Sequence, residues 1–173
     1  MVYTFIIAKS CNIFFCFNNN IYTSFSFFIL KNMTNKFEQI SLKSGFMKHN
    51  GGLLFKVVSE NEYEFKTTIK ENHLNAAGIT HGGFIAALID AGAGTAAHRS
   101  ADQNPCVTIS LEIKFISPVK LGQELIGKTK IQKKTKSMVF LTCEMLVDNK
   151  IAATASGVWK ILNKKLPGAG PGG

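Results

Sequence analysis

From Phe84 to His98 the chain runs through Ala, Gly, Leu, Ile and one acid, Asp90, with no other formally charged side chain. A helix that is apolar nearly all round is buried on most sides, so this stretch must form the centre of whatever the chain builds. Gly92 and Gly94 tighten the constraint, because glycine inside a helix costs about 1 kcal/mol against alanine. Close packing has to offset that. Together with Ala86, Ala87 and Ala91, they leave room for a curved sheet to approach.

The stretch just before this helix carries the candidate chemistry: Asn75-Ala76-Ala77-Gly78-Ile79-Thr80-His81-Gly82-Gly83. The first backbone N–H groups of a helix have no intrahelical acceptor and lie at the positive end of its dipole. Glycine leaves those donors uncovered, so a polarised oxygen can come close. Such a place suits the oxyanion that develops when a carbonyl is attacked. A Gly-Gly pair can also be a plain tight turn, and a single acid on a helix is usually solvated. An acid among apolar residues is costly, however, unless it is partnered or lines a cavity.

Asp90 follows His81 by nine positions. At about 100° and 1.5 Å per residue that is ~180° round the helix and ~13 Å along it. The two cannot meet at one bond within a chain. If both do chemistry, the pocket combines His81 and Gly82 of one subunit with Asp90 of another, most simply in a two-fold dimer.

At 173 residues the chain holds one domain with possible extensions, large enough to bury a core without staples. The net charge is +9 and Arg99 is the only arginine. Readers of nucleic acid favour arginine for bidentate contacts, so no nucleic-acid partner is expected; a ligand with several phosphates fits the lysines better. Cys11, Cys16, Cys106 and Cys143 show no metal spacing, and no metal site is expected. Cys106 and Cys143 read as reduced strand residues of a cytoplasmic protein.

Residues 1–32 contain no acid, many Phe and Ile, and the run Asn18-Asn19-Asn20, which keeps either apolar piece below the ~20 residues of a membrane span. They read as an extension outside the domain, from a misassigned start upstream of Met33 or as a membrane-tethering or targeting segment. No membrane partner is expected unless they form an anchor. The domain is expected over 33–165, and the Gly- and Pro-rich residues 166–173 read as a flexible tail. Phe37, Ile40, Phe46 and Met47 suggest a short amphipathic helix ending near Asn50. Strands are expected over 53–58, 62–69, 107–116, 122–133, 138–147 and 151–162, with a turn at Asp148-Asn149. Lys128, Lys130, Lys133, Lys134 and Lys136 form a basic run that reads first as a solvated strand edge. His98 and Arg99 suit the negative end of the central helix.

Six antiparallel strands curling round one apolar helix, after a short N-terminal helix, make an α+β hot-dog arrangement. At this point a resemblance becomes specific. Asn75-x2-Gly78-x2-His81-Gly82-Gly83, Asp90, Val107-Thr108-Ile109 and Phe115-Ile116-Ser117-Pro118-x3-Gly122 resemble the hot-dog acyl-CoA thioesterases of the phenylacetate-degradation and thioesterase-superfamily-member-2 type. The resemblance spans roughly Phe37 to Lys160. It implies that Gly82 N–H and Asn75 polarise a thioester carbonyl, with His81 supporting the loop or the thioester sulfur. It also implies that Asp90 from the partner subunit activates water, with Thr108 beside it. Gly83, Lys133, Lys134 and Lys136 are the expected substrate contacts, the lysines through coenzyme A phosphates. Coenzyme A enters as part of the substrate, so no separate cofactor is expected, and the assembly is a homodimer or a dimer of dimers. Two other readings stay open: a hot-dog dehydratase or hydratase, and a non-catalytic acyl-CoA-binding module. The former usually carry a different His-containing loop, and the latter would not need Asn75, Gly82, Asp90 and Thr108 together.

Overall fold

Side chains alternate between buried and exposed along β5 (Glu124–Lys134): Leu125, Gly127, Thr129 and Ile131 face in, while Lys128, Lys130 and Gln132 face out. That period of two is the signature of a strand with one face on a core. The same alternation runs through β3 (Glu62–Thr68), β6 (Met138–Val147) and β7 (Lys150–Ile161). With β1 (Glu38–Ile40), β2 (Leu53–Val57) and β4 (Cys106–Phe115) they form a seven-stranded sheet in the order β1-β2-β3-β5-β6-β7-β4, antiparallel throughout. The computed structural model describes residues 36–162, so the readings for residues 1–32 and 166–173 lie outside the described residues.

The central helix, α2 (Gly82–Ser100), follows a four-residue α1 (Phe46–His49) and touches every strand from β2 to β7. The sheet therefore wraps it, as the small residues require. Phe84, Ile85, Leu88, Ile89, Ala93, Ala96 and Ala97 of α2 are buried against Phe55, Phe65, Leu125, Leu141, Met145 and Trp159. The closest approach is made by the Phe65 ring, which lies where a Cβ on either Gly92 or Gly127 would sit. Both positions need a residue without a side chain, one on the helix and one on the strand beneath it.

The N-terminal region differs from expectation. Residues 38–40 are a strand, pairing Ile40 with Leu53, and only Phe46–His49 is helical, with none of its residues buried. Ser41 has φ 62° and Gly45 breaks the chain again, so the helical spacing of Phe37, Ile40, Phe46 and Met47 is never realised. The sheet gains a seventh strand as a result. Phe37 lies under two ammonium groups instead, with Lys56 Nζ 4.9 Å and Lys66 Nζ 4.7 Å from its ring centre. At the β6–β7 turn Asp148 and Asn149 both take positive φ, 49° and 61°, the backbone of a tight two-residue hairpin.

Candidate active site

The loop before α2 is closed by its own hydrogen bonds. The Asn75 N–H donates to Ile79 O at 2.8 Å, and Gly78 N–H returns to Asn75 O at 2.9 Å. The Asn75 side-chain Oδ1 accepts from the N–H groups of Ala77 and Ile79 at 2.9 and 3.3 Å. Its amide oxygen is thus spent on the loop, and the Nδ2 donors are what Asn75 can offer a ligand. Gly78 at φ 72° makes the turn. Thr80 then anchors the loop to the β4–β5 connection, giving both its N–H and its hydroxyl to Val119 O at 2.8 and 2.9 Å.

The start of α2 can be accounted for donor by donor. His81 is the N-cap, and its Nδ1 accepts the Gly83 N–H at 2.9 Å. The N–H groups of Phe84 and Ile85 both reach His81 O, at 2.9 and 3.2 Å. Only the Gly82 N–H is left without an acceptor among the described residues. Of the glycine pair, then, Gly82 can receive an oxyanion, while the Gly83 N–H is committed to His81. Because His81 Nδ1 is an acceptor, a neutral ring carries its proton on Nε2.

Beneath this lies His73, a residue the sequence reading did not single out. It is buried and stacked on Phe84, centroids 3.7 Å apart and planes 17° from parallel. Its Nδ1 accepts the Lys70 N–H at 3.0 Å and its Nε2 lies 3.0 Å from Asn50 O, which only an Nε2–H tautomer satisfies. Burial lowers the imidazole pKa most, the hydrogen bond to Asn50 O opposes this, and the Lys70 charge lowers it further. The His73 carbonyl accepts the His81 N–H at 2.8 Å, so a neutral buried histidine fixes the N-cap.

Asp90 is exposed in the middle of α2, two turns beyond the Gly82 end. Thr108 of β4 donates its hydroxyl to Asp90 Oδ1 at 2.6 Å, a short, charge-assisted bond. That bond uses the only hydroxyl proton, so towards a water Thr108 can act solely as an acceptor. The next residue, Ile109, is a β-bulge: Thr108 faces Trp159 and Ser110 faces Val158, with Ile109 unpaired between them. Bulges re-aim side chains beside functional sites. Here Thr108 lies on the helix side before the bulge and Leu111, Ile113 and Phe115 lie on it afterwards. β4 is also a sheet edge with exposed Ile109 and Phe115.

The lysines are not gathered at this loop. Lys134 Nζ donates to Ser100 O at 2.7 Å and pairs with Asp102 at 3.5 Å, at the opposite end of α2. The 19-residue helix puts that end ~27 Å from Gly82 within one chain. Lys133, near the end of β5, lies opposite Phe140, and Lys136 is exposed in the following turn. Arg99 is paired with Glu38 at 2.8 Å. The free thiols Cys106 and Cys143 are strand residues whose pKa values burial pushes up to about 11 and about 12.

The sequence profile of the thioesterase superfamily matches residues 77–151, from the loop through β6 into β7. A candidate esterase of Saccharolobus solfataricus is 34% identical over 98 residues, covering 56% of this chain and 69% of the relative. The chain belongs to the thioesterase superfamily. Acyl-coenzyme A thioesterase 13 of Mus musculus is 30% identical over 77 residues, 44% of this chain and 55% of that protein. The structure of zebrafish thioesterase superfamily member 2 superposes with a TM-score of 0.64 at 20% identity, covering 70% of this chain and 89% of that one. That likeness shows the shared hot-dog fold. In this thioesterase-superfamily chain no described helix is long and apolar enough to cross a membrane.

Proposed function

We propose that the protein is an acyl-CoA thioesterase working as a two-fold dimer or a dimer of dimers, with each pocket shared between subunits. The observation that carries the reading is the exposed Asp90 carboxylate held at 2.6 Å by Thr108 in the middle of an otherwise apolar helix. In the single chain this carboxylate is open to solvent, and the exposed apolar edge strand β4 beside it suits a second copy that would enclose it in a pocket. The acyl-CoA carbonyl oxygen accepts from Gly82 N–H and Asn75 Nδ2 of one subunit. Asp90 of the partner subunit takes a proton from water as the water oxygen attacks the carbonyl carbon. The negative charge collects on the carbonyl oxygen, where the Gly82 donor meets it. Collapse breaks the carbon–sulfur bond, and the proton held by the carboxyl passes to the departing thiolate. The products are free acid and coenzyme A. His81, fixed by Gly83, supports the loop, and exposed Lys133, Lys134 and Lys136 are available to coenzyme A phosphates, Lys134 at the cost of a surface ion pair with Asp102. No cofactor beyond the coenzyme A of the substrate takes part, and a cytoplasmic location fits such a substrate.

The reading is tested by thiol release over a panel of short, long and aromatic acyl-CoAs, with Asp90→Asn beside the wild type. Asp90→Asn should bind acyl-CoA and turn it over at least ~100-fold more slowly, the range of one general base. Near wild-type kcat in that variant would make Asp90 a structural residue.

A further inference from the structure

The side of Gly82 that a Cβ would occupy faces the Phe115 ring. The three atoms nearest to such a Cβ all belong to the Phe115 ring, at 3.3, 3.5 and 3.7 Å. Ordinary contact between carbons is about 3.5–4.0 Å, so a methyl at Gly82 would press on the Phe115 ring, which would have to give slightly. The ring is nonetheless 56% exposed, at the end of an edge strand. Its backbone is fixed: Phe115 pairs with Ala153, and the N–H groups of Ile116 and Ser117 both donate to Ala152 O. The connection that follows runs beside the loop, with Ile79 bridging Lys120, and it carries two more exposed apolar side chains, Ile116 and Leu121.

We propose, resting on the thioesterase reading above, that Phe115 is a specificity-determining residue that selects the substitution at the acyl carbon next to the thioester carbonyl. A carbonyl oxygen on the Gly82 N–H, at about 2.9 Å, brings one of its two flanking atoms against this ring. The flanking acyl carbon is the one that matches, because the acyl group is apolar and the ring it meets is apolar. The pantetheine arm, with its amides, suits the open side. A methylene slides along the ring, whereas a methyl branch on that carbon meets it. The pocket therefore takes unbranched acyl groups and rejects α-branched ones.

The test compares kcat/KM for n-butanoyl-CoA and 2-methylpropanoyl-CoA in the full-length protein and in Phe115→Ala, Phe115→Leu and Phe115→Trp. The wild type should favour the straight chain by about tenfold or more, the range that one misplaced methyl commands. Phe115→Ala should bring the ratio within about threefold, chiefly by raising the branched rate, Phe115→Leu should fall between, and Phe115→Trp should widen it. If Phe115→Ala fails to fold, the Leu and Trp variants decide. A wild-type ratio near one, or a ratio unmoved in the folded variants, overturns this inference and leaves the thioesterase reading intact. No thiol release from any acyl-CoA overturns both.

Discussion

The hydroxyl of Thr108 and the carboxylate of Asp90 are joined at 2.6 Å across the gap between the edge strand and the central helix. The bond occupies Oδ1 and leaves Oδ2 without a partner among the described residues, so the carboxylate is oriented without being sealed. Thr108→Val keeps the shape and deletes the bond. It should lower kcat by about tenfold with KM little changed, as for loss of a positioning contact. Thr108→Ser should restore most of the rate. Equal losses in Val and Ser would mean that packing, not the hydroxyl, is what Asp90 needs.

Subunit mixing tests the shared pocket. Gly82→Pro deletes the one unsatisfied N–H at the helix start, and proline suits the first helical position, although its Cβ presses on the Phe115 ring, so the variant is first shown to fold. His81 already has φ −63° and ψ 131°, a conformation compatible with a following proline. Asp90→Asn and Gly82→Pro dimers should each be inactive. Random reassortment should recover about a quarter of wild-type activity, since half the dimers are mixed and each has one intact pocket. Mixed dimers that form but stay inactive would place the whole site in one chain.

His73 should make stability fall on mild acidification. Its folded pKa is lowered, so the unfolded chain takes up a proton first, near pH 6.5. Stability is fully present above that value and is lost as pH falls towards the folded pKa. Protonation would also put a hydrogen on Nδ1, facing the Lys70 N–H donor, and would loosen the His81 cap through the His73 carbonyl. Melting temperature should drop between pH 7.5 and 5.5, and His73→Gln should flatten that slope at a lower overall stability. A flat wild-type profile would contradict the assignment.

Gly92→Ala sets two effects against each other. Alanine gains about 1 kcal/mol of helix propensity, but its methyl falls on the Phe65 ring. Overpacking typically costs about 1–3 kcal/mol, so the substitution should be neutral to destabilising by up to about 2 kcal/mol. Urea denaturation measures this directly. A clear gain in stability would show that the ring moves freely.

The central helix and its loop were legible because each signal was local. Small residues, two interior glycines and a His-Gly-Gly start all lie within a few turns of one another. Strand positions followed from alternation, and even the Asp148-Asn149 hairpin was visible. The short helix before Asn50 is present over Phe46–His49; what misled was extending it back to Phe37 and Ile40, whose spacing suits a helix. The competing pull came from β2, which offers Ile40 a partner in Leu53, and no local pattern announces that. Likewise nothing in the residue types told Gly82 from Gly83. The distinction depends on where the His81 ring turns, a matter of side-chain conformation. The lysine run was legible as a solvated strand edge, whereas the tie from Lys134 to the Ser100 carbonyl at the end of the helix is a contact across the fold that chain order does not announce.

Thr108 and Phe115 are separated by an odd number of positions, yet both reach the central helix because Ile109 is an extra residue in its strand. The distance between them in sequence is therefore itself a functional quantity. Deleting Ile109 itself leaves six positions and strict alternation, which keeps both side chains on the helix face, whereas deleting another residue and leaving the bulge in place turns one of the two to solvent. Substitutions in this stretch can be absorbed one at a time. A single-residue deletion between Ser110 and Lys114, even of an exposed side chain, would separate the grip on Asp90 from the wall beside Gly82.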